Sequence, residues 1–453
     1  MPNISEIRIV AVYLLPKQRA PVRFWYLAHM KFCFKTYGCK MNQADSELMR
    51  GILSDNHEES SEKDADLIIL NTCGVVEKTE RKILKEAVES KKKGKKIIIS
   101  GCLPLISFEE CREVADGLLG PSNVSSIDLL IEKILQNKKE FIVEKENIDK
   151  AEICSNKKRV DKETCSAIVS VAEGCIGSCS YCATRFARKE LNSFDKENIV
   201  KEIKGVLASG FKEIQLTSQD LSVYGMEKGR QMLPDLIKDI SQIEGDFKVK
   251  LGMMNPGQAR RMMEELLSSY ESDKLYKFIH LPLQSGDDGL LKKMNRGYTV
   301  SDFVDVVKNF RKKFKETIVA TDIIVGHPLE TEESFKKTVE VIKKIQPEIV
   351  HIFKFSKRKG TPDFNLKDLP DRIKKDRSRI LSELFEKYNL EKNKKYKGKK
   401  LNVLIIEKRK GKYLARTDSG RAVVLEEGKL GERINVRIND YKWNYLIGNS
   451  VNN

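Results

Sequence analysis

Three closely spaced cysteines are the residues of this chain best suited to chemistry. They lie in the run Cys175-Ile-Gly-Ser-Cys179-Ser-Tyr-Cys182, directly after the strand-like stretch 167–172. Three thiolates on one short loop can ligate three irons of a [4Fe–4S] cluster, and the fourth iron then has no protein ligand. This spacing therefore predicts a cluster whose open iron binds a substrate or cofactor. A structural zinc knuckle or a set of buried thiols is the alternative.

A second group of cysteines is dispersed in the sequence but regular in placement. Cys39, Cys73 and Cys102 each follow closely after a predicted strand, and these strands are 32–37, 67–71 and 96–100. In open α/β sheets, ligands bind beyond the carboxyl ends of the strands. The repeated placement predicts a second three-thiolate cluster, although each cysteine alone is typical of a packed core. The remaining cysteines show no such placement: Cys33, Cys111, Cys154 and Cys165.

Composition indicates an intracellular enzyme with a polyanionic partner. A chain of 453 residues is long enough for roughly three domains, and 40% apolar residues can supply their cores. No apolar stretch approaches the roughly 20 residues of a membrane span. Ten cysteines are too sparse for a disulfide scaffold, which favours a reducing, cytoplasmic location. The net charge of +17 favours nucleic acid as the partner, with solubility as the alternative explanation.

The elements that must position the cysteines alternate between strands and helices. Beyond residue 165, six βα units predict a partial barrel, and active sites of such barrels lie at the carboxyl ends of the strands. The cysteine loop follows the first of these strands. Polar side chains at or near other strand ends are candidate cofactor contacts: Gln219, Gln284, Ser285 and Asp322. The strands are predicted near 167–172, 213–217, 248–253, 277–281, 319–325 and 349–355, with helices that include 257–268 and 332–345.

The last segment is strongly basic. Residues 387–412 contain eleven Lys or Arg and two Glu, and short strands separated by glycines follow. Such strands predict a small β-barrel of the kind that binds nucleic acid across one face. Tyr413 and Trp443 are candidates for stacking on unpaired bases. A basic barrel that only caps the preceding domain is the alternative.

Several motifs together resemble those of one enzyme family, the radical S-adenosylmethionine (SAM) methylthiotransferases, over residues 31–448. These motifs are Thr36-Tyr-Gly-Cys-Lys-Met-Asn-Gln-Ala-Asp-Ser46, Asn71-Thr-Cys73, Ser100-Gly-Cys102, the run from Gly174 to Cys182, His280-Leu-Pro-Leu-Gln-Ser-Gly286, Met294-Asn-Arg296 and Gly360-Thr-Pro362. The resemblance implies that Cys175, Cys179 and Cys182 hold the [4Fe–4S] cluster that cleaves SAM. It also implies that Cys39, Cys73 and Cys102 hold an auxiliary [4Fe–4S] cluster involved in sulfur transfer. The catalytic residues beyond these ligands stay unassigned.

The resemblance also organises the chain into domains. The fold class is α/β, with an N-terminal doubly wound parallel sheet domain, a central partial (β/α)6 radical-SAM barrel and a small C-terminal all-β barrel similar to the TRAM domain and OB-like in type. The predicted ranges are an N-terminal extension of no assigned role at 1–29, the sheet domain with the auxiliary cluster at 30–142, a polar linker at 143–165, the radical-SAM core at 166–388 and the RNA-binding barrel at 389–450.

Family members act on an adenosine next to the tRNA anticodon or on a ribosomal protein, and the basic barrel favours RNA. The run from Tyr181 to Arg188 is most similar to the threonylcarbamoyladenosine type of archaea and eukaryotes. The predicted reaction converts N6-threonylcarbamoyladenosine to its 2-methylthio derivative. The alternatives are an isopentenyladenosine enzyme and a non-catalytic iron–sulfur protein that binds RNA. The expected partners are the tRNA anticodon loop and an electron donor such as a ferredoxin or flavodoxin, and the chain is expected to be a monomer without membrane contact.

Two segments depart from the family pattern. Gly326-His-Pro-Leu-Glu330 stands where Gly-Phe-Pro-Gly-Glu is usual, and His327 is a candidate proton donor at the barrel mouth. Ser356-Lys-Arg-Lys-Gly-Thr361 contains two lysines that either contact phosphates or belong to a solvated loop.

Overall fold

The computed structural model describes residues 29–156 and 163–451. Contacts divide the chain into an N-terminal unit that ends at Glu146 and a second unit that begins at Asn147, with residues 75–77 counted in the second. The predicted extension, apart from His29, lies outside the described residues. Among the described residues, no helix combines the length and the apolar character that a membrane crossing requires.

The N-terminal unit is a six-stranded parallel sheet with the strand order β2-β1-β3-β4-β5-β6. Its strands are β1 (Lys31–Thr36), β2 (Glu58–Glu59), β3 (Leu67–Thr72), β4 (Lys96–Gly101), β5 (Gly117–Leu119) and β6 (Glu140–Ile142). Its helices are α1 (Lys40–Leu53), α2 (Glu77–Lys92), α3 (Leu103–Ile106), α4 (Phe108–Val114) and α5 (Ile127–Leu135). The predicted strands β1, β3 and β4 are present, and β2, β5 and β6 are additions that the sequence did not indicate.

Helices cover both faces of this sheet. Strand β3 is buried along its whole length, as expected for the centre of a parallel sheet. Ile68 and Leu70 pack in one cluster with Ile83 and Ala87 of α2. Because successive side chains of a strand point to opposite faces, Ile69 lies on the other side, where α1 packs with α5. The prediction of a doubly wound sheet is confirmed.

The second unit contains the predicted six-stranded partial barrel. Parallel strands form two groups of three, β11-β10-β7 and β12-β13-β14, and an isolated parallel bridge between Met253 and His280 links the groups. The strands are β7 (Ser166–Ser170), β10 (Glu213–Thr217), β11 (Lys248–Leu251), β12 (Phe278–His280), β13 (Ile318–Val325) and β14 (Ile349–Lys354), and the short pair β8 (Ala172–Glu173) and β9 (Asn192–Ser193) is antiparallel. The helices are α6 (Lys150–Cys154), α7 (Thr184–Arg188), α8 (Lys196–Ala208), α9 (Leu233–Ser241), α10 (Pro256–Arg261), α11 (Met263–Ser269), α12 (Asp288–Lys293), α13 (Val300–Lys313), α14 (Glu332–Ile345) and α15 (Asp371–Lys394).

The segment predicted as a linker contains ordered structure that packs on the barrel. Helix α6 begins at Asp149, whose side chain accepts hydrogen bonds from the backbone N–H groups of Ala151 and Glu152. The buried Lys150 lies 3.2 Å from Glu173, which also pairs with the buried Arg188 at 2.6 Å. Lys150 is therefore part of an internal ion-pair cluster at the base of the cysteine loop.

The C-terminal segment is a closed five-stranded barrel, as predicted. Its strands are β15 (Lys400–Arg409), β16 (Lys412–Thr417), β17 (Ala422–Leu425), β18 (Arg433–Tyr441) and β19 (Leu446–Ser450). Gly420, in the turn between β16 and β17, lies against Tyr276 and Phe278 of the partial barrel. Next to it, Arg416 pairs at 3.0 Å with Glu213, whose side chain is fully buried. The small barrel is therefore packed beneath the amino-terminal end of the partial barrel.

Candidate functional site

The cysteine loop begins and ends at one place on the partial barrel. It occupies the residues between β8 and β9, so the chain leaves and returns side by side. Gly174 has φ +82°, and a Cβ atom there would lie 1.9 Å from the carbonyl oxygen of Glu190, so only glycine fits. A Cβ atom at Gly177 would lie 3.3 Å from Cys175 Sγ and 3.9 Å from Cys179 Sγ. Both thiols therefore point toward the same side of the loop.

The three loop thiols influence one another electrostatically. Burial raises the pKa of the Cys175 thiol to about 11, and Asp220, Cys179 and Cys182 contribute in the same direction. Burial also raises the pKa of the Cys182 thiol. Because iron binds the thiolate form, cluster assembly at these thiols releases protons and is favoured by higher pH. This arrangement can hold an iron–sulfur cluster with three protein ligands.

The segment Met294-Asn295-Arg296 holds the loop from one side. Ser180 donates its backbone N–H to the carbonyl oxygen of Met294 at 3.1 Å. Asn295 donates from Nδ2 to the carbonyl oxygen of Ser178 at 2.9 Å. Arg296 donates from Nη1 to Cys179 Sγ at 3.0 Å. The sequence marked this motif only through the family resemblance and gave it no role.

His327 holds the loop from another side, which corrects its predicted position at the barrel mouth. Its side chain is fully buried. Its Nδ1 accepts from the backbone N–H of Leu329, so the proton lies on Nε2, which donates to Asp363 at 2.9 Å. Asp363 also accepts a 2.6 Å hydrogen bond from Ser180 of the cysteine loop. Burial lowers the pKa of His327 despite the opposing effect of Asp363, so the ring is neutral and positions the loop.

The four candidate cofactor contacts separate into different environments. Gln219 accepts through Oε1 from the backbone N–H of Gly174 at 2.7 Å, at the start of the cysteine loop. Gln284 has φ +66°, and its backbone N–H donates to the carbonyl oxygen of Asp322. Ser285 is fully buried, and its Oγ lies 3.5 Å from Thr338 of α14. The structure thus brings Gln284 and Asp322 together and directs Ser285 toward a helix.

Asp322 lies between two histidines that the sequence did not connect with it. His280 Nε2 lies 3.0 Å and His351 Nδ1 2.9 Å from Asp322 Oδ1. Burial raises the pKa of the Asp322 carboxyl, but the hydrogen bonds and charges of both histidines outweigh burial and hold that pKa well below its usual range. The three ligand atoms lie within 4.8 Å of one another, close enough to hold a metal ion. Predicted as a cofactor contact, Asp322 here orients two imidazole rings.

In the N-terminal unit, strand register places the second group of cysteines. Thr36, Asn71 and Ser100 are register partners on β1, β3 and β4. Cys73 lies two residues after Asn71, and Cys102 lies two residues after Ser100. Cys39 lies three residues after Thr36. Since adjacent strands lie about 4.8 Å apart, the cysteines leave one edge of the sheet as neighbours. All three thiols are free of disulfide bonds.

Close backbone contacts keep this edge compact. Gly38 has φ +111°, and a Cβ atom there would lie 2.6 Å from Cys73 Cβ, so the glycine lets the turn before Cys39 approach the next strand. The fully buried Asn42 donates to the carbonyl oxygens of Tyr37 at 3.0 Å and Thr72 at 2.8 Å. The turns that carry Cys39 and Cys73 are therefore tied together. Three thiols at this edge can ligate a second cluster.

The small barrel presents its basic surface along the segment that enters it. Its exposed lysines are Lys394, Lys395, Lys397, Lys399 and Lys400. Trp443, a predicted stacking residue, instead packs edge-to-face on Phe385 of α15 with 5.2 Å between ring centroids. This contact corrects its interpretation, because the indole joins the barrel to the helix. Tyr413 is partly buried against the barrel core.

Comparison with known proteins covers most of the chain. Three family models match: the radical SAM superfamily over residues 169–342, the uncharacterized protein family UPF0004 over residues 31–119 and the TRAM domain over residues 394–451. A probable threonylcarbamoyladenosine tRNA methylthiotransferase of Archaeoglobus fulgidus is 50% identical over 420 residues, 92% of this chain and 98% of the relative.

More distant relatives have related names. A probable threonylcarbamoyladenosine tRNA methylthiotransferase of Pyrococcus horikoshii is 38% identical, over 93% of this chain and 100% of the relative. A tRNA-2-methylthio-N6-dimethylallyladenosine synthase of Carboxydothermus hydrogenoformans is 32% identical, over 93% of this chain and 99% of the relative. Among solved structures, the radical SAM methyltransferase TsrM of Kitasatospora setae has a TM-score of 0.54 at 10% identity, over 74% of this chain and 75% of that one. This last likeness shows the fold alone.

Proposed function

Because the chain belongs to the radical SAM methylthiotransferase family, we propose that it converts N6-threonylcarbamoyladenosine next to the tRNA anticodon to its 2-methylthio derivative. The observation that carries this proposal is the 50% identity to an archaeal protein of that name over 92% of the chain. The relative named for dimethylallyladenosine is 32% identical, which favours the threonylcarbamoyl substrate.

Membership in the radical SAM superfamily implies SAM and a [4Fe–4S] cluster as cofactors. We assign the ligands of this cluster to Cys175, Cys179 and Cys182, because their loop supplies three partly buried thiols with Arg296 beside Cys179. When bound, the cluster and SAM supply the radical chemistry. Gln219, next to the loop, and Gln284 are the proposed side-chain contacts to SAM.

We assign Cys39, Cys73 and Cys102 to a second [4Fe–4S] cluster that takes part in sulfur transfer. The support is their common position at one edge of the sheet, with Asn42 joining two of the turns. Three thiols again leave one iron without a protein ligand. Iron and sulfide quantification on anaerobically purified protein tests both assignments, and about eight irons per chain are expected.

The proposed partner is the tRNA anticodon loop. The TRAM domain match and the exposed lysines at residues 394–400 support RNA binding, since lysines contact phosphates in a salt-dependent manner. Reduction of the clusters requires an electron donor such as a ferredoxin or flavodoxin, and we propose that the chain acts as a monomer.

Mass spectrometry of tRNA nucleosides tests the reaction. A strain that lacks this chain is expected to lose 2-methylthio-N6-threonylcarbamoyladenosine and to accumulate the unmethylthiolated nucleoside. An unchanged nucleoside profile would end the proposal. Formation of 5′-deoxyadenosine by the reduced protein with SAM separates an enzyme from a non-catalytic RNA-binding protein.

A further inference from the structure

One face of strands β12–β14 forms an inner wall of the partial barrel. Ile279, Val319 and Val350 belong to the opposite face, because they pack in the same apolar cluster as the helix residues Phe310 and Ile342. Side chains one position removed therefore point away from the helices, toward the barrel interior. The side chains on this inner face are Tyr276 just before β12, Phe278 and His280 on β12, Ile318, Ala320 and Asp322 on β13, and Ile349, His351 and Phe353 on β14.

The inner wall changes character along the strands. Tyr276, Phe278, Ile318 and Ala320 form an apolar cluster, with Ile349 packed against it. His280, Asp322 and His351 follow in the next layer, and Asp322 and His351 are direct register partners. This polar layer lies toward the carboxyl ends of the strands, which is the functional end of a barrel of this type.

The polar layer is accessible where the wall ends. Strand β14 is the edge of its three-stranded sheet, and within the described part of the chain its strand partner is β13. The His351 side chain is 50% exposed, and Phe353, two residues further along the same face, is 44% exposed. Asp322 beneath them is only 10% exposed at its side chain. An open imidazole and an open aromatic ring thus stand over a buried carboxylate.

The carboxylate fixes which ring nitrogens are available. An ionised carboxylate only accepts hydrogen bonds, so His280 Nε2 and His351 Nδ1 carry the protons that face Asp322. The other nitrogens, His280 Nδ1 and His351 Nε2, are directed away from Asp322. The ring centroids are 5.5 Å apart, so the two imidazoles lie side by side on the inner wall.

We propose that His351 and His280, oriented by Asp322, bind the polar N6 substituent of the target adenosine while Phe353 stacks on its base. This inference rests on the proposed function and names how the substrate is selected. Enzymes that modify a base take it out of the stack and hold it by aromatic contact and hydrogen bonds. A threonylcarbamoyl group offers ureido N–H, carbonyl, hydroxyl and carboxylate groups to the imidazoles. An isopentenyl group offers none and leaves their nitrogens without partners, which disfavours it.

The test uses the chain with its clusters assembled and three anticodon stem–loop RNAs. The RNAs are identical except that the target adenosine carries a threonylcarbamoyl group, an isopentenyl group or no substituent. Dissociation constants and single-turnover methylthiolation rates are measured for each. For the original sequence, we expect the threonylcarbamoyl RNA to bind at least about tenfold more tightly than the isopentenyl RNA, as one or two added hydrogen bonds provide.

Variants at His351 separate ligand contact from a structural role. His351→Ala is expected to remove most of the preference for the threonylcarbamoyl RNA over the isopentenyl RNA. His351→Asn keeps a donor toward Asp322 but loses the outward nitrogen, whereas His351→Gln restores an outward polar group. We therefore expect His351→Gln to retain more of the preference than His351→Asn, and equal preferences in the two variants would contradict the contact. Their iron content serves as the check that each variant is folded.

Phe353→Ala is expected to weaken binding of all three RNAs by about tenfold, because the base loses its stacking partner. Phe364→Ala is the matched control, because Phe364 is 38% exposed and has no proposed contact with RNA. This variant should bind each of the three RNAs as tightly as the original chain does.

The outcomes are distinguishable. If the original chain methylthiolates none of the RNAs, the proposed function fails. If product forms and His351→Ala keeps the full preference, this inference alone is wrong. If removal of divalent cations with EDTA abolishes the preference while cluster iron is unchanged, the three side chains hold a metal ion, which also overturns the inference.

Discussion

The two groups of three cysteines reach their positions in different ways. Cys175, Cys179 and Cys182 lie within eight residues on one loop, and side chains distant in sequence hold that loop from two sides. Cys39 and Cys73 are 34 residues apart, and their proximity comes from the register of a parallel sheet. The first group therefore depends on the contacts that hold one loop, whereas the second depends on the integrity of an entire sheet edge.

The largest effect is expected when a ligand on the cysteine loop is removed, and this change separates the roles of the two cysteine groups. Cys175→Ala removes one of three ligands on the loop, so we expect 5′-deoxyadenosine formation to fall by more than about 100-fold, beyond the loss typical of an outer-shell change. Iron should fall toward about four atoms per chain. The control Cys154→Ala removes a thiol of α6 outside both groups and should leave both values unchanged. Cleavage at the original rate in Cys175→Ala would contradict the assignment.

The converse variant tests the sheet edge. Cys73→Ala is expected to abolish the methylthiolated nucleoside while 5′-deoxyadenosine still forms, because the loop cysteines are intact. Both products are measured in the same reaction by mass spectrometry. Cys33→Ala, on the neighbouring β1 but outside the group, is the control. Equal loss of both products in Cys73→Ala would show that the two groups do not have separate roles.

A smaller effect is expected from the contacts that hold the loop. Asp363→Ala leaves Ser180 Oγ and His327 Nε2 without their buried acceptor, which costs about 1–3 kcal/mol of stability. We expect cofactor cleavage to fall by about 10- to 100-fold, as for other outer-shell changes at metal sites. Asp363→Asn keeps an acceptor oxygen and should recover part of the rate. A loss of methylthiolation without any loss of cleavage would contradict this role.

The smallest effect concerns the Glu213–Arg416 pair between the partial barrel and the small barrel, and it has a defined pH dependence. Burial raises the pKa of Glu213, but Arg416 and other partners outweigh burial and lower it below its usual value of 4.5. A lowered carboxyl pKa stabilises the fold above pH 4.5, and this contribution is lost as the pH falls through the lower folded-state value. Glu213→Gln should be about 1–3 kcal/mol less stable at neutral pH, and less sensitive to acid, in urea unfolding. Parallel acid profiles of both proteins would refute this.

Sequence patterns predicted the features that follow from the periodicity of apolar residues and from the positions where strands end. The six strands of the barrel and the placement of Cys39, Cys73 and Cys102 after three strands followed from alternation of apolar runs and breaks. The three-residue strands β5 and β6 are too short to give such a pattern. The helix expected at 257–268 is interrupted at Met262, which has a non-helical backbone (φ −108°, ψ 31°) although methionine favours helices.

Contacts between distant residues were the main part of the site that was missed. The pairing of Asp322 with His351 requires the register between β13 and β14, and no local pattern specifies that register. The sequence made His327 a candidate proton donor at the barrel mouth, but its burial and its partner Asp363 become visible only in the fold. Helix α6 was missed because residues 143–165 are polar and read as a linker, and the pairing of Lys150 with Glu173 becomes visible only in the fold.

The packing of Gly420 against Tyr276 and Phe278 bears on attempts to engineer this enzyme. A truncation before β15 would leave two aromatic rings and the carboxylate of Glu213 facing water, so the catalytic portion is unsuited to expression alone. Exchanging the small barrel for another RNA-binding module would likewise succeed only if the donor supplied a matching glycine turn and an arginine at the position of Arg416.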